Sequence, residues 1–299
     1  MKNLVFAVLV TGIFNVHAKP IPPNDVVYNQ DDRIPAKDVN INIEQIQSLS
    51  SGIAALVLTD EVTFHGDKAS IYTLDEKETN DICTEEKYSS FPAMSMCTAF
   101  LISDKLLVTA GHCITNDNCI DKDFSFVFNY NHQSVQNEAL EFNSSDIYTC
   151  KKVVARKKDD KNHLDYAIVE LDKKVKNRTI LKFAKTNPKL DDSIFMLGHP
   201  YGLPLIYTDN AQIHRTEENR FITNLDAFGG NSGSPVLNQN GNVIGVLIEG
   251  SQDFIWDKQN RCNHVHYCNG IDPNNKCEGE GVLKKDIIIK ALKEANKTI

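Results

Sequence analysis

The chain has 299 residues, 41% of them hydrophobic, enough to bury the core of one large all-β unit or two smaller ones. A formal net charge of −8 offers no global attraction to nucleic acid or to an anionic membrane surface, so neither is expected as a partner.

In chain order, residues 1–18 read as a secretory signal. Lys2 supplies the positive start, Leu4 to Phe14 a short apolar run, and Val16-His17-Ala18 a small-residue cleavage site with the cut expected after Ala18. The run is too short to span a bilayer, and no later stretch is long enough. The mature chain is expected to be soluble, exported and monomeric. Residues 19–50 are polar, and Pro20, Pro22, Pro23 and Pro35 interrupt regular structure around a charged Asp31-Asp32-Arg33. This segment is expected to be a propeptide or an extended arm outside the core.

Strand signals begin at Ile53-Ala54-Ala55-Leu56-Val57-Leu58. A hydrophilic stretch over 65–90 reads as a surface insertion. Two apolar runs follow, Thr98 to Ile102 and Lys105 to Thr109. Phe124, Phe126, Phe128 and Tyr130 alternate with other residues, which predicts a half-buried strand. Ala167-Ile168-Val169 and Ile194 to Leu197 are of strand length. Asn240-Gly241 between Pro235-Val236-Leu237 and Val243 to Val246 predicts a hairpin. From Leu283 to Ala295, apolar residues at 283, 287, 288, 291, 292 and 295 predict an amphipathic terminal helix. No internal repeat is visible. Many short strands and one helix indicate an all-β barrel or sandwich. The eight cysteines (83, 97, 113, 119, 150, 262, 268 and 277) favour disulfides in an exported chain, with the connectivity left open.

Three patterns carry chemistry when read together: Thr109-Ala110-Gly111-His112-Cys113, Leu164-Asp165-Tyr166-Ala167-Ile168-Val169, and Gly229-Gly230-Asn231-Ser232-Gly233-Ser234-Pro235. A serine hydroxyl is a weak nucleophile unless an imidazole takes its proton. A carboxylate beyond the ring fixes the tautomer and stabilises the imidazolium. Glycines around the serine permit a tight turn whose N–H groups face a developing oxyanion.

In residue type and in the order His, Asp, Ser, these windows resemble the chymotrypsin-like serine peptidases. The likeness covers roughly residues 50–299. It implies two six-stranded antiparallel β-barrels with a C-terminal α-helix, as a peptidase domain over 51–299 with a barrel boundary near 175–190. It implies a triad of His112 as general base and acid, Asp165 as its orienting carboxylate and Ser232 as nucleophile, with Gly230 and Ser232 N–H groups as the oxyanion hole. It also implies a disulfide between Cys97 and Cys113, sixteen residues apart, bracing the histidine loop. Protein or peptide substrates follow, with no cofactor or metal. His199 is read as a structural or pocket-wall residue instead of the base.

Asn231 stands where the animal digestive branch has the aspartate that pairs with a newly cut N-terminus, and it cannot form that ion pair. Gly-Asn-Ser-Gly-Ser-Pro is closer to the bacterial secreted branch, which includes glutamyl endopeptidases. Six residues before the nucleophile, Asp226 occupies the specificity-pocket base, where a buried carboxylate favours Arg or Lys in the substrate. Glutamyl specificity is disfavoured because Leu247 and Ala227 replace that branch's histidine and threonine. Ile248, Glu249 and Gly250 are expected on the strand that pairs with substrate backbone.

Competing readings remain at this level. Cys262, His264, His266 and Cys268, with Cys277 following, have a spacing that can bind zinc. A catalytically inactive homologue could serve as a secreted binding protein. Lys151, Lys152, Arg156, Lys157 and Lys158 read as a solvated loop.

Overall fold

The computed structural model describes residues 27–132, 139–272, 274 and 276–297. The expected signal peptide lies outside the described residues. Twelve strands carry the architecture. Most are short β-branched, leucine-rich or aromatic runs, two are longer and mixed, and neighbouring strands satisfy their backbone groups. β1 (Ile53–Leu58), β2 (Cys97–Leu101), β3 (Leu106–Thr109), β4 (Phe124–Phe128), β5 (Ile147–Asp159) and β6 (Leu164–Leu171) close into a barrel in the order β1-β4-β5-β6-β3-β2. β7 (Ser193–Gly198), β8 (Ile206–Thr216), β9 (Arg220–Thr223), β10 (Pro235–Asn238), β11 (Val243–Glu249) and β12 (Glu280–Lys284) close into a second barrel, β7-β10-β11-β12-β9-β8.

All twelve neighbouring pairs are antiparallel, with registers such as Phe126↔Leu56 and Ile168↔Val108 in the first barrel and Val236↔Gly245 in the second. Closure leaves neither barrel with a free edge. The two strand orders are identical once the second is renumbered from one. The fold is therefore duplicated, although no repeat survives in the residues.

β4 is buried on both faces from Ser125 to Phe128, where alternation predicts one wet face. The cause is the inserted segment. Strands Val62–His65, Lys68–Tyr72 and Ala139–Asn143 form a small sheet whose Ala69, Ile71, Leu140 and Phe142 cover Ala55, Val57 and Val127 on the barrel's outside. Local period says nothing about a sheet that arrives from elsewhere in the chain.

The segment before β1 also departs from expectation. Ile43–Ser50 is an α-helix that buries Ile46 and Leu49, and Ala36 and Val39 join the same core. Earlier, Val27–Tyr28 pairs in parallel with Tyr267–Cys268, and Ile34–Pro35 pairs with Ile206–Tyr207. The described part of the arm is thus laid onto the second barrel. The terminal helix runs over Lys285–Glu294 and buries Ile288, Ala291 and Leu292 against β6 and β11, one on each barrel. Leu283 belongs instead to β12, because its backbone pairs with Val246 and Arg220.

The eight cysteines form four disulfides: Cys83–Cys262, Cys97–Cys113, Cys119–Cys150 and Cys268–Cys277. This points to an oxidising, extracellular type of environment. Among the described residues, no helix is long and apolar enough to cross a membrane.

Candidate active site

β3 ends at Thr109 and the chain turns at once, with Cys113 N donating to Ala110 O at 3.2 Å. Gly111 lies flat against the β5–β6 hairpin. A Cβ there would meet Tyr166 O at 2.8 Å and Asp165 Oδ1 at 2.9 Å, so only glycine fits. The turn is locked from two sides. Cys113 is bonded to Cys97 on β2, and Arg156 Nε donates to Gly111 O (2.7 Å) and Ile114 O (2.8 Å).

His112 therefore meets Asp165, the second residue of β6, in a fixed pose. Its backbone N–H donates to Asp165 Oδ1 (2.9 Å), and its ring Nδ1 lies 2.7 Å from Oδ2. A carboxylate accepts only, so Nδ1 carries the proton and Nε2 is left with its lone pair. Asp165 is 3% exposed and also accepts from Lys158 Nζ at 2.8 Å. Burial alone would raise its carboxyl, but the bonds from His112 and Lys158 hold it below the ordinary aspartate value. It stays charged at neutral pH.

Ser232 lies between β9 and β10, on two consecutive tight turns. Asn231 N donates to Phe228 O (3.0 Å) and Ser234 N to Asn231 O (2.9 Å). The third residue of each turn is a glycine at positive φ, +84° for Gly230 and +89° for Gly233. A side chain at Gly230 would run into His199 O, and one at Gly233 into Thr98 O. Neither the Gly230 nor the Ser232 N–H donates to a protein acceptor among the described residues. β2 holds this loop from the other barrel: Thr98 N donates to Ser232 O (2.9 Å) and Thr98 Oγ1 to Gly230 O (2.9 Å). No hydrogen bond joins Ser232 Oγ to the His112 ring among the described residues, and in substrate-free sites such bonds are often long and tighten on binding.

A family model for the trypsin-like peptidase domain matches residues 97–246, half of the chain. The chain belongs to this family. A Glu endopeptidase structure covers 90% of this chain and 98% of its own at a TM-score of 0.50 and 16% identity, a likeness of fold. The Rv3671c protease of M. tuberculosis in its inactive form covers 85% and 94% with a TM-score of 0.48 and 15% identity. A dipeptidyl-peptidase 7 of Phocaeicola vulgatus is 40% identical over 52 residues, which make up 17% of this chain and only 7% of that protein. Homologous proteases of this family act on proteins or peptides.

Beside Ser232 in this trypsin-like peptidase is a cavity of about 130 Å³, walled by Phe228, Gly250 and three acids, Glu249, Asp253 and Glu280. Asp226, read from the sequence as the pocket base, does not line it. Its carboxylate turns to the N-terminal arm and accepts from Tyr28 N (2.8 Å) and Asp32 N (3.3 Å). Burial, and then the nearby Asp32, push it up to about 8. Glu280 is 1% exposed, and its Oε1 accepts from Ser251 N at 3.2 Å. Burial pushes its carboxyl well up. Asp253 Oδ2 accepts from Gly229 N at 2.9 Å, and burial pushes this group up to about 6. Glu249 is ion-paired with Arg220, and Ile248 is buried.

The remaining candidates have structural partners. His199 is buried, stacks on Tyr130 and has Nδ1 3.0 Å from Leu203 O; burial pushes it down to about 4, so the ring is neutral. Cys262 and Cys268 are both in disulfides, which removes the thiolates a zinc site would need. His264 pairs with Glu86 at 2.8 Å, and His266 Nδ1 lies 2.6 Å from Gln252 O.

The basic cluster at 151–158 is solvent-exposed as expected, but on a strand and not in a loop. It lies on β5, where Lys151 pairs with Glu170, Arg156 braces the histidine turn and Lys158 reaches Asp165. Alternation along that strand, 156 against 158, is the signal that puts the last two on one side.

Proposed function

We propose that this trypsin-like peptidase is a secreted serine endopeptidase whose triad is His112, Asp165 and Ser232. The observation that carries this reading is the pair of hydrogen bonds from His112 to the buried Asp165, through backbone N–H and Nδ1, close to a serine turn with two unoccupied N–H groups. Ser232 Oγ attacks the scissile carbonyl while His112 Nε2 takes its proton. The carbonyl oxygen becomes an oxyanion facing the N–H groups of Gly230 and Ser232. His112 then returns the proton to the leaving amine as the C–N bond breaks, which leaves an acyl ester on Ser232. Water enters, His112 deprotonates it, and the ester is hydrolysed by the same steps in reverse order. Every step uses groups of the chain itself.

Cleavage after Arg or Lys is part of the proposal. It is supported by the acid-walled cavity beside Ser232, with Asp253 and Glu280 facing the cation and Asp226 set behind them. Burial keeps these carboxyls partly protonated until a cation arrives, so binding a basic side chain releases protons. Residues 1–18 as a signal peptide cut after Ala18, and four disulfides, support export.

The test is hydrolysis of a mixed peptide library by the purified protein beside Ser232→Ala. Turnover should fall on the order of 10⁶-fold in the variant. Cuts should follow Arg and Lys. A folded parent that cleaves nothing, or a variant that cleaves as fast, sinks the reading.

A further inference from the structure

We infer that Arg33 is a positioning residue: from the N-terminal arm it holds Phe228 and, through it, the turn that presents the Gly230 N–H to the oxyanion. The inference rests on the serine-peptidase reading above and adds a part of the chain that the triad chemistry does not use.

The turn over Phe228–Asn231 is soft by composition. Gly229 and Gly230 have no side chains with which to fix their own conformation, and glycine gives up the most backbone freedom on ordering. The residue after them offers no anchor either. Asn231 is 1% exposed, and both its Nδ2 and Oδ1 lack a hydrogen-bond partner. Beyond the bonds from Thr98 and Asp253, the one apolar side chain of the turn is packed at its other end. Phe228 is 4% exposed and packs with Val27 of the arm, Val265, Tyr201 and Phe254.

The Arg33 guanidinium completes this enclosure, with its Cζ 4.1 Å from the Phe228 ring centroid. Arg33 is 4% exposed, a costly place for a cation unless its charge is answered. Asp31 answers it with a fork: Nε to Oδ1 at 2.9 Å and Nη2 to Oδ2 at 2.7 Å. Lys87 Nζ and Tyr88 Oη donate to the Arg33 carbonyl, which pins its backbone. The arm is seated on both sides of Arg33. Val27 N donates to His266 O (2.9 Å), Asp226 takes the N–H groups of Tyr28 and Asp32, and Ile34–Pro35 pairs with β8. A planar, delocalised cation over an aromatic face is a specific contact that lysine does not reproduce. The arm thus steadies from outside a turn that no ion pair at position 231 can steady from beneath.

The experiment compares the purified protein with Arg33→Ala and Arg33→Lys, and with Arg215→Ala at the exposed end of β8 as a control. Three quantities are measured: kcat and KM on an arginyl peptide, inhibition by an arginyl peptide aldehyde, and labelling by a fluorophosphonate. The aldehyde forms a hemiacetal whose oxygen needs the same N–H groups, so it reads the oxyanion site directly. In Arg33→Ala, kcat should fall about 10–100-fold, less than the ~10²–10³ typical of removing a donor outright. Aldehyde affinity should fall by the same factor, with KM changed less than about two-fold. Arg33→Lys should be intermediate and Arg215→Ala unchanged.

A folded Arg33→Ala with parental kcat overturns the inference. So does a loss that falls on KM, or one the aldehyde does not mirror. Should Arg33→Ala fail to fold, Phe228→Leu keeps the apolar volume and removes the ring face. It should show the same split, and parental kcat there overturns the inference equally. A parent that does not react with the fluorophosphonate overturns the serine-peptidase reading and this one together. A reactive parent with an equally reactive Arg33→Ala overturns only this one.

Discussion

His112 and Ser232 occupy equivalent places in the duplicated fold, each in the loop between the third and fourth strand of its barrel, yet the two loops are held differently. The histidine loop is braced from within its own barrel: a disulfide from β2, Arg156 and Lys158 from β5, and Asp165 from β6. The serine loop has a support in its own barrel, where Gly233 N donates to Leu247 O on β11 (2.8 Å), but it also leans on distant segments. Thr98 reaches it from the other barrel, Asp253 from a later loop, and Phe228 is covered by the N-terminal arm. One half of the site is a rigid acid–base unit. The other is a pair of glycine turns whose geometry depends on β11 and on several more distant segments.

The largest effect expected from this contrast is on the rigid half. Asp165→Asn keeps the shape but offers an amide where Nδ1–H needs an acceptor on the same group that takes the backbone N–H. Turnover at saturating peptide should fall about 10⁴-fold. A loss under ten-fold would mean that Lys158 or another group orients the ring, and the picture of one locally built unit would break. On the soft half, Gly230→Ala should cost about 10²–10³ in kcat, because the turn must open and carry its N–H away from the oxyanion. Its φ of +84° and the approach of Tyr201 N (3.0 Å) and Gly202 N (3.1 Å) to the new Cβ leave no unstrained alternative. Parental kcat in this variant would show that the serine turn is not the donor site.

The same contrast explains what could be read in advance. Triad candidates, most strands, the hairpin and the terminal helix are local signals: a few residues at a fixed spacing, or a period of two or 3.6. The paired barrels are legible only through a family resemblance, and β5, β8, β9 and β12 not at all. The histidine loop is legible because its own short window of residue types carries the signal, although Arg156 and Asp165 reach it from 45 and 53 residues away. Lys158 and Arg156 were visible as charges but not as partners, since their targets depend on β5–β6 register. The surroundings of Asp226 are illegible for a stronger reason. Asp226 is bonded to Tyr28, 198 residues away, and no spacing rule connects the two. Likewise helix Ile43–Ser50 has too few apolar residues to announce itself and is stabilised by the core it meets.

A smaller effect would sharpen the comparison, because Asp253 serves both halves of the soft region: it takes the Gly229 N–H and walls the cavity. Burial pushes its carboxyl up to about 6, the Gly229 and Tyr201 bonds and the Arg33 charge act against this, and the facing Glu280 is itself raised by burial. A raised carboxyl is neutral below that pH and negative above it. Affinity for a cationic side chain should therefore rise as pH increases through about 6, and affinity for an apolar one should not. The ratio of KM for phenylalanyl to arginyl peptides, in which changes common to both substrates cancel, should increase about ten-fold between pH 5 and 7. Asp253→Asn should flatten that ratio while leaving a residual preference from Glu280. If the ratio is flat in the parent, the acids around Ser232 serve the turn and not the substrate, and the soft half would be a scaffold whose specificity lies elsewhere in the cleft.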